Sequence, residues 1–143
     1  ERYPNCEFIY PVHLNPNVRG PVMRLLSGRD NVHLIAPLSY EPFVWAMGRA
    51  YLLLSDSGGV QEEAPHLGKP VLVMRDTTER PEAIDAGTAL LVGTDEARVF
   101  SSVVRLMEDL EVYDAMCRAV NPFGDGHASE RIARALTEFL SRP

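Results

Sequence analysis

Cysteine is scarce in this chain. Only Cys6 and Cys117 are present, far apart, so the sequence offers neither a disulfide framework nor a paired-cysteine redox or metal motif, and a reducing cytoplasm is expected. The four histidines, His13, His33, His66 and His127, show no metal-ligand spacing, and no metal site is expected. Basic runs are missing too: 14 Lys and Arg are scattered through a chain of net charge −6, which argues against nucleic acid or an anionic membrane as partner. No apolar run approaches the ~20 residues that span a bilayer. Neither a signal-peptide pattern nor an internal repeat nor a low-complexity stretch is seen. The acids do not cluster at strand ends, which sets receiver-like domains aside. The first residue is Glu1 and not Met, which leaves room for a longer natural chain.

What is present is one domain's worth of sequence: 143 residues, 45% hydrophobic, enough to bury a core. The stretch Leu52–Glu82 organises it. Leu52–Leu54 reads as a short buried strand, Asp56-Ser57-Gly58-Gly59 as a turn, Val60–Leu67 as a helix stopped by Gly68, and Val71–Met74 as a second buried strand. Glycines at a strand-to-helix turn expose the unpaired N–H groups that begin a helix, and the helix dipole favours an anion there. Ser57 can cap the helix or donate its hydroxyl to that anion. Glu63, four residues after Gly59, falls on the same helical face, within reach of the hydroxyls of a ribose attached to a phosphate. Ser-Gly-Gly alone would suit an ordinary capped helix. With Glu63 in phase and Asp76-Thr77-Thr78-Glu79-Arg80-Pro81-Glu82 after the next strand, nucleotide binding is the better reading. Pro65 removes a hydrogen bond from the helix, so a bend is expected there.

The remainder alternates strand and helix, which implies a parallel sheet. Glu7–Val12 is the first strand, with His13 at its C-terminal tip. Asn17 or Asn15 caps a helix whose buried face is Val18, Val22, Leu25 and Leu26, ended by Ser27-Gly28. Val32–Ile35 is the second strand, and Ser39 caps a short helix carrying Phe43, with Trp45 and Met47 read as core. Glu79–Glu82 begins a helix with Pro81 in its first turn, ended by Gly87, and the planar guanidinium of Arg80 suits a bidentate contact with a diphosphate. Thr88–Val92 is the last strand. Thr94 is expected to cap a helix with Val99, Val103, Leu106 and Leu110 at helical spacing, followed by one with Tyr113, Met116, Cys117 and Val120. A polar, glycine-rich turn, Asn121–His127, leads to a final helix, Ala128–Leu140, with Ile132, Leu136, Phe139 and Leu140 on one face.

Five of these segments, taken together, resemble the bacterial non-hydrolysing UDP-N-acetylglucosamine 2-epimerases: Tyr10–Val18, Asp56–Pro65, Gly68–Val71, Thr78–Glu82 and Asn121–Ser129. The match runs in order through essentially the whole chain but covers only the family's C-terminal half. The resemblance implies a doubly wound parallel, Rossmann-like sheet, the C-terminal domain of a two-Rossmann-domain, glycosyltransferase-B-like enzyme. It places His13 in the active site as a candidate catalytic residue. It assigns UDP to Phe43 (the uracil pocket, through backbone groups), Ser57, Gly58, Gly59, Glu63 and Arg80. Leu38 stands where some members have Gln. No cofactor is implied.

The family interconverts UDP-N-acetylglucosamine and UDP-N-acetylmannosamine, eliminating UDP to a 2-acetamidoglucal and adding it back on the other face, for cell-envelope polysaccharides. Its acid and base carboxylates lie in the N-terminal half, absent here, so the chain alone is expected to bind UDP without epimerising; the full-length enzyme is expected to be a homodimer. The alternatives are the nucleotide-sugar domain of a glycosyltransferase and a catalytically silent nucleotide-binding module. By the resemblance, residues 1–143 also lack the domain's first, central strand. Glu7–Val12 would then close toward Tyr51–Leu54, pair with another chain, or occur only within a larger assembly.

Overall fold

The computed structural model describes residues 2–141, and these fall into two compact units divided between Trp45 and Ala46. In the first, β1 (Phe8–Pro11) and β2 (Val32–Ile35) form a parallel pair with Phe8 opposite Val32 and Pro11 opposite Ile35. Between them runs α1 (Pro16–Leu26). Asn15, one of the two caps expected, opens it by accepting the Asn17 N–H at 3.0 Å, with Pro16 in the first turn. Pro21 lies inside α1 and removes one of its hydrogen bonds. Gly28, at φ +76°, turns the chain away. Val18, Val22 and Leu26 are half-buried as expected, but Leu25 is 63% exposed, because it falls at the margin of a stripe that only three residues define. The helix α2 (Tyr40–Arg49) begins where expected, with the Phe43 N–H on the Ser39 carbonyl at 3.1 Å. Met47 is buried at 2% exposure; Trp45, expected in the core, is 66% exposed.

The second unit is built on three parallel strands in the order β3 (Leu53–Ser55), β4 (Val71–Val73), β5 (Ala89–Leu91). All three residues of β4 are completely buried, which is why this strand reads as a continuous apolar run and not an alternating one. Against it pack Val92 and Leu106, joined by Val99, Val103, Val112, Tyr113 and Met116 from α5 (Glu96–Glu108) and α6 (Leu110–Arg118). The cap of α5 is Asp95, not Thr94: its carboxylate accepts the Arg98 N–H at 2.9 Å. Asp109 ends α5 and caps α6, so Leu110 opens a new helix and is 68% exposed, out of the stripe to which spacing alone assigned it. Val120 lies past α6 and is exposed as well. Tyr51 and Tyr113 stack at 4.0 Å, and the Tyr113 hydroxyl donates to the Tyr51 carbonyl at 2.9 Å. Burial, above all, raises the pKa of both phenols.

The last helix, α7 (Ala128–Leu140), has its expected stripe, yet Ile132, Leu136, Phe139 and Leu140 are all more than half exposed. No helix among the described residues is long and apolar enough to cross a membrane.

Candidate functional site

The turn after β3 leads directly into α3 (Gly58–Glu63). Ser57 has the extended backbone of an N-cap, but its hydroxyl makes no capping bond; its own N–H donates to Ser55 Oγ at 3.1 Å. The hydroxyl therefore remains available to something other than the helix. Neither Gly58 nor Gly59 has a positive φ. What Gly58 provides is close approach: a Cβ there would lie 2.8 Å from Glu79 Oε1. At Gly59 the nearest atom to such a Cβ is Ser57 Oγ, at 3.8 Å.

Glu63 ends α3 and so holds the one-turn phase to Gly59 that its spacing predicts. It is half-buried, and among the described residues its carboxylate has no hydrogen bond or ion pair. Pro65, where a bend was expected, falls at a change of helix type. From Ala64 to Leu67 the helix tightens to a 3-10 turn, which dispenses with the bond that proline cannot make, and Gly68 ends it in the left-handed region at φ +64°.

The loop between β4 and α4 (Pro81–Asp85) faces this turn. Arg80 is not idle there. Its Nε is paired with Glu62, and its Nη1 donates to the Glu79 carbonyl at 3.1 Å. The hydrogen bond that Arg80 donates to the Glu62 carboxylate raises the Arg80 pKa, keeping it charged at any working pH. Glu79 sits 2.6 Å from Arg75 Nη1. Its pKa is lowered, first by its own backbone N–H and then by the Arg75 charge. Pro81 occupies the first turn of α4 as expected.

Behind these groups lies Gln61, completely buried and missed in the sequence. Its Nε2 donates to the Ser57 carbonyl at 3.2 Å and its Oε1 accepts the Thr78 hydroxyl at 2.6 Å; Thr78 Oγ1 in turn accepts the Arg80 N–H at 3.0 Å. The signal was there: Val60 and Gln61 lie on the buried side of α3, with buried Ala64 just after it, and a polar residue on an apolar stripe needs partners. Glu62 and Arg75 were missed as well, and no local pattern marks them, since their partners lie on the next loop.

The remaining expected residues, His13 and Phe43, belong to the first unit. His13 is exposed at the end of β1, and its Nδ1 accepts the Asn15 N–H at 3.1 Å. That bond puts the neutral ring's proton on Nε2, leaving a donor at the outer nitrogen. The Phe43 N–H is already taken by Ser39. No group of His, Cys, Asp and Glu that could hold a metal exists among the described residues.

A family model described as UDP-N-acetylglucosamine 2-epimerase matches residues 1–137. The chain belongs to the UDP-N-acetylglucosamine 2-epimerase family. The family's curated enzyme from Escherichia coli (strain K12) is 62% identical over 132 residues, covering 92% of this chain and 35% of its own. The one from Yersinia pestis is 60% identical over 135 residues, covering 94% and 36%. The chain thus spans about a third of the length of its epimerase relatives, consistent with the C-terminal part that the motifs indicated. Among solved epimerase structures, that of Neisseria meningitidis bound to UDP-GlcNAc matches with a TM-score of 0.90 at 53% identity, over 96% of this chain and 37% of that one. The S. aureus MnaA–UDP co-structure matches with 0.91 at 42%, over 97% and 38%. The α/β, parallel, glycosyltransferase-B-like fold class is that of these epimerases.

Proposed function

We propose that this chain is the C-terminal, UDP-binding domain of a non-hydrolysing UDP-N-acetylglucosamine 2-epimerase. The observation that carries the reading is the likeness, over nearly the whole chain, to solved epimerases that hold UDP-GlcNAc or UDP. The local chemistry supports it. The Ser57–Gly59 turn, with an uncommitted hydroxyl and a bare Gly58, takes the diphosphate. Glu63, its carboxylate unengaged, takes the ribose hydroxyls. Arg80 exchanges part of its engagement with Glu62 and Glu79 for the diphosphate. The segment around Phe43 takes the uracil. His13, a donor at Nε2, stabilises charge on the departing UDP.

In the reaction the C2 proton and UDP leave N-acetylglucosamine, and UDP and a proton return with C2 inverted. The acid and base for C2 come from the N-terminal part of the full-length protein, so the isolated chain does not epimerise. By the same reading, that part also supplies the domain's first strand. The full-length enzyme works as a homodimer in the cytoplasm, where Cys6 and Cys117 remain free thiols. The test is to incubate the full-length protein and this chain, separately, with UDP-N-acetylglucosamine and follow UDP-N-acetylmannosamine by NMR, with UDP titrated into each by calorimetry. Epimerisation by the full-length protein alone is the expected result. Turnover by the isolated chain, or a full-length protein that does not bind UDP, would overturn the reading.

A further inference from the structure

The two segments assigned to the diphosphate, the Ser57–Gly59 turn and the Thr78–Arg80 loop, follow different strands and are 17 residues apart at their bridging pair, Gln61 and Thr78. Loops of this kind ordinarily move independently, and a diphosphate gripped from two sides requires that they do not. We propose that Gln61 and Thr78 form a positioning strut that fixes the distance between these segments before the ligand arrives; this rests on the UDP-binding reading above.

The strut is one directional chain of hydrogen bonds. The Arg80 N–H donates to Thr78 Oγ1, the Thr78 hydroxyl donates to Gln61 Oε1, and Gln61 Nε2 donates to the Ser57 carbonyl. Each donor has one acceptor in this chain, so the Thr78 hydroxyl hydrogen and the orientation of the Gln61 amide are both determined. Gln61 is completely buried, where an amide that lost a partner could not turn to water instead. The chain ends at one side on the carbonyl of the residue whose hydroxyl faces the anion, and at the other on the N–H of the residue whose guanidinium does. Neither Gln61 nor Thr78 needs to touch UDP.

The experiment is made in the full-length protein, reading UDP affinity, KM and kcat for epimerisation, and the thermal unfolding midpoint. Thr78→Val keeps the shape and deletes the bridge; Thr78→Ser keeps the bridge. The Val variant should bind UDP about tenfold more weakly, the equivalent of one buried hydrogen bond, with the loss in KM more than in kcat. The Ser variant should restore binding to within about twofold, since it retains the hydroxyl. Gln61→Met combined with Thr78→Val should weaken UDP no more than the worse of the two alone, because both cut the same chain. Equal UDP affinity in the Val and Ser variants, or strictly additive losses in the double variant, would overturn the strut. Should Thr78→Val not fold, the Ser variant and Gln61→Met decide: wild-type UDP affinity in Gln61→Met overturns the proposal. Glu63→Gln, measured alongside, separates the two levels. If it leaves UDP affinity unchanged the site itself is misassigned; if it weakens UDP while the strut variants do not, only the strut fails.

Discussion

Replacing Gly58 by alanine separates what this residue does for the fold from what it does for the ligand. Its φ is not positive, so alanine is allowed without backbone strain. It opens α3, and glycine in a helix is disfavoured relative to alanine by about 0.5–1 kcal/mol, so the exchange favours the folded state. The opposing term is steric. The new Cβ would lie 2.8 Å from Glu79 Oε1, which must retreat. That atom is the end of a flexible, exposed side chain, and its pairing with Arg75 is a surface contact that contributes little. Stability measured by urea unfolding should therefore stay within about 1 kcal/mol of the parent, with the sign set by helix propensity. On the proposed assignment UDP affinity should fall, because the methyl group would stand where the phosphate approaches the backbone. A loss of stability well beyond that range would show that Gly58 serves packing. Unchanged UDP affinity in a stably folded variant would refute the anion assignment.

Glu63→Gln should weaken UDP binding by about 1.5–3 kcal/mol with the fold intact, read by calorimetry on the full-length protein; Gly59→Val should weaken it by crowding the same turn. Arg80→Lys should also bind UDP less well although the charge is kept, since an ammonium cannot reproduce the fork that, on the proposed assignment, meets both Glu62 and a diphosphate; equal affinity would reduce Arg80 to a diffuse charge. Gly93→Ala, in contrast to Gly58→Ala, should destabilise by about 1–2 kcal/mol, because φ +66° is strained for alanine and its Cβ would come within 2.9 Å of Asp76 Oδ1. Asp125 is held below the ordinary aspartate range, chiefly by Arg131, at 2.6 and 2.8 Å, and by the His127 N–H. A depressed folded pKa means that its contribution is present above the unfolded value and lost as pH falls through the folded one. The start of α7 should therefore fray on the acid side of the ordinary aspartate pKa, seen by NMR of the Ala128–Arg131 amides, and Arg131→Ala should move that fraying to higher pH.

Local rules carried far in this sequence, and their failures have local causes. β2 and α7 lie where periodicity put them, and the helix changes to a 3-10 turn at Pro65, where a bend was expected. Thr94 and Asp95 are adjacent and both are good caps, so propensity could not choose; the carboxylate reached the Arg98 N–H. Leu110 continued a helical spacing through Asp109, whose side chain starts a second helix instead. Burial of Trp45 and Leu25 could not be read from the chain, because being apolar on a helix does not say what covers that face. At the candidate site, Ser57, the two glycines, Glu63 and Arg80 were singled out by type and spacing, and their role remains a proposal. Gln61 was marked only as a polar residue on an apolar stripe, and Thr78 and Glu62 not even so, since their partners depend on how two strands bring separate loops together.

β4 gives the second unit a clock. Its three residues have neighbours on both sides and no contact with solvent, so their amide protons can exchange with deuterated water only when the whole unit opens. The Ser57 turn follows the strand on one flank of β4 and the Thr78 loop follows β4 itself. A ligand held by those loops must be released before that opening can occur, which slows it by the factor one plus ligand concentration over Kd. Val71, Leu72 and Val73 would then register occupancy of a site that none of them touches, and the slowing of their exchange would measure its affinity.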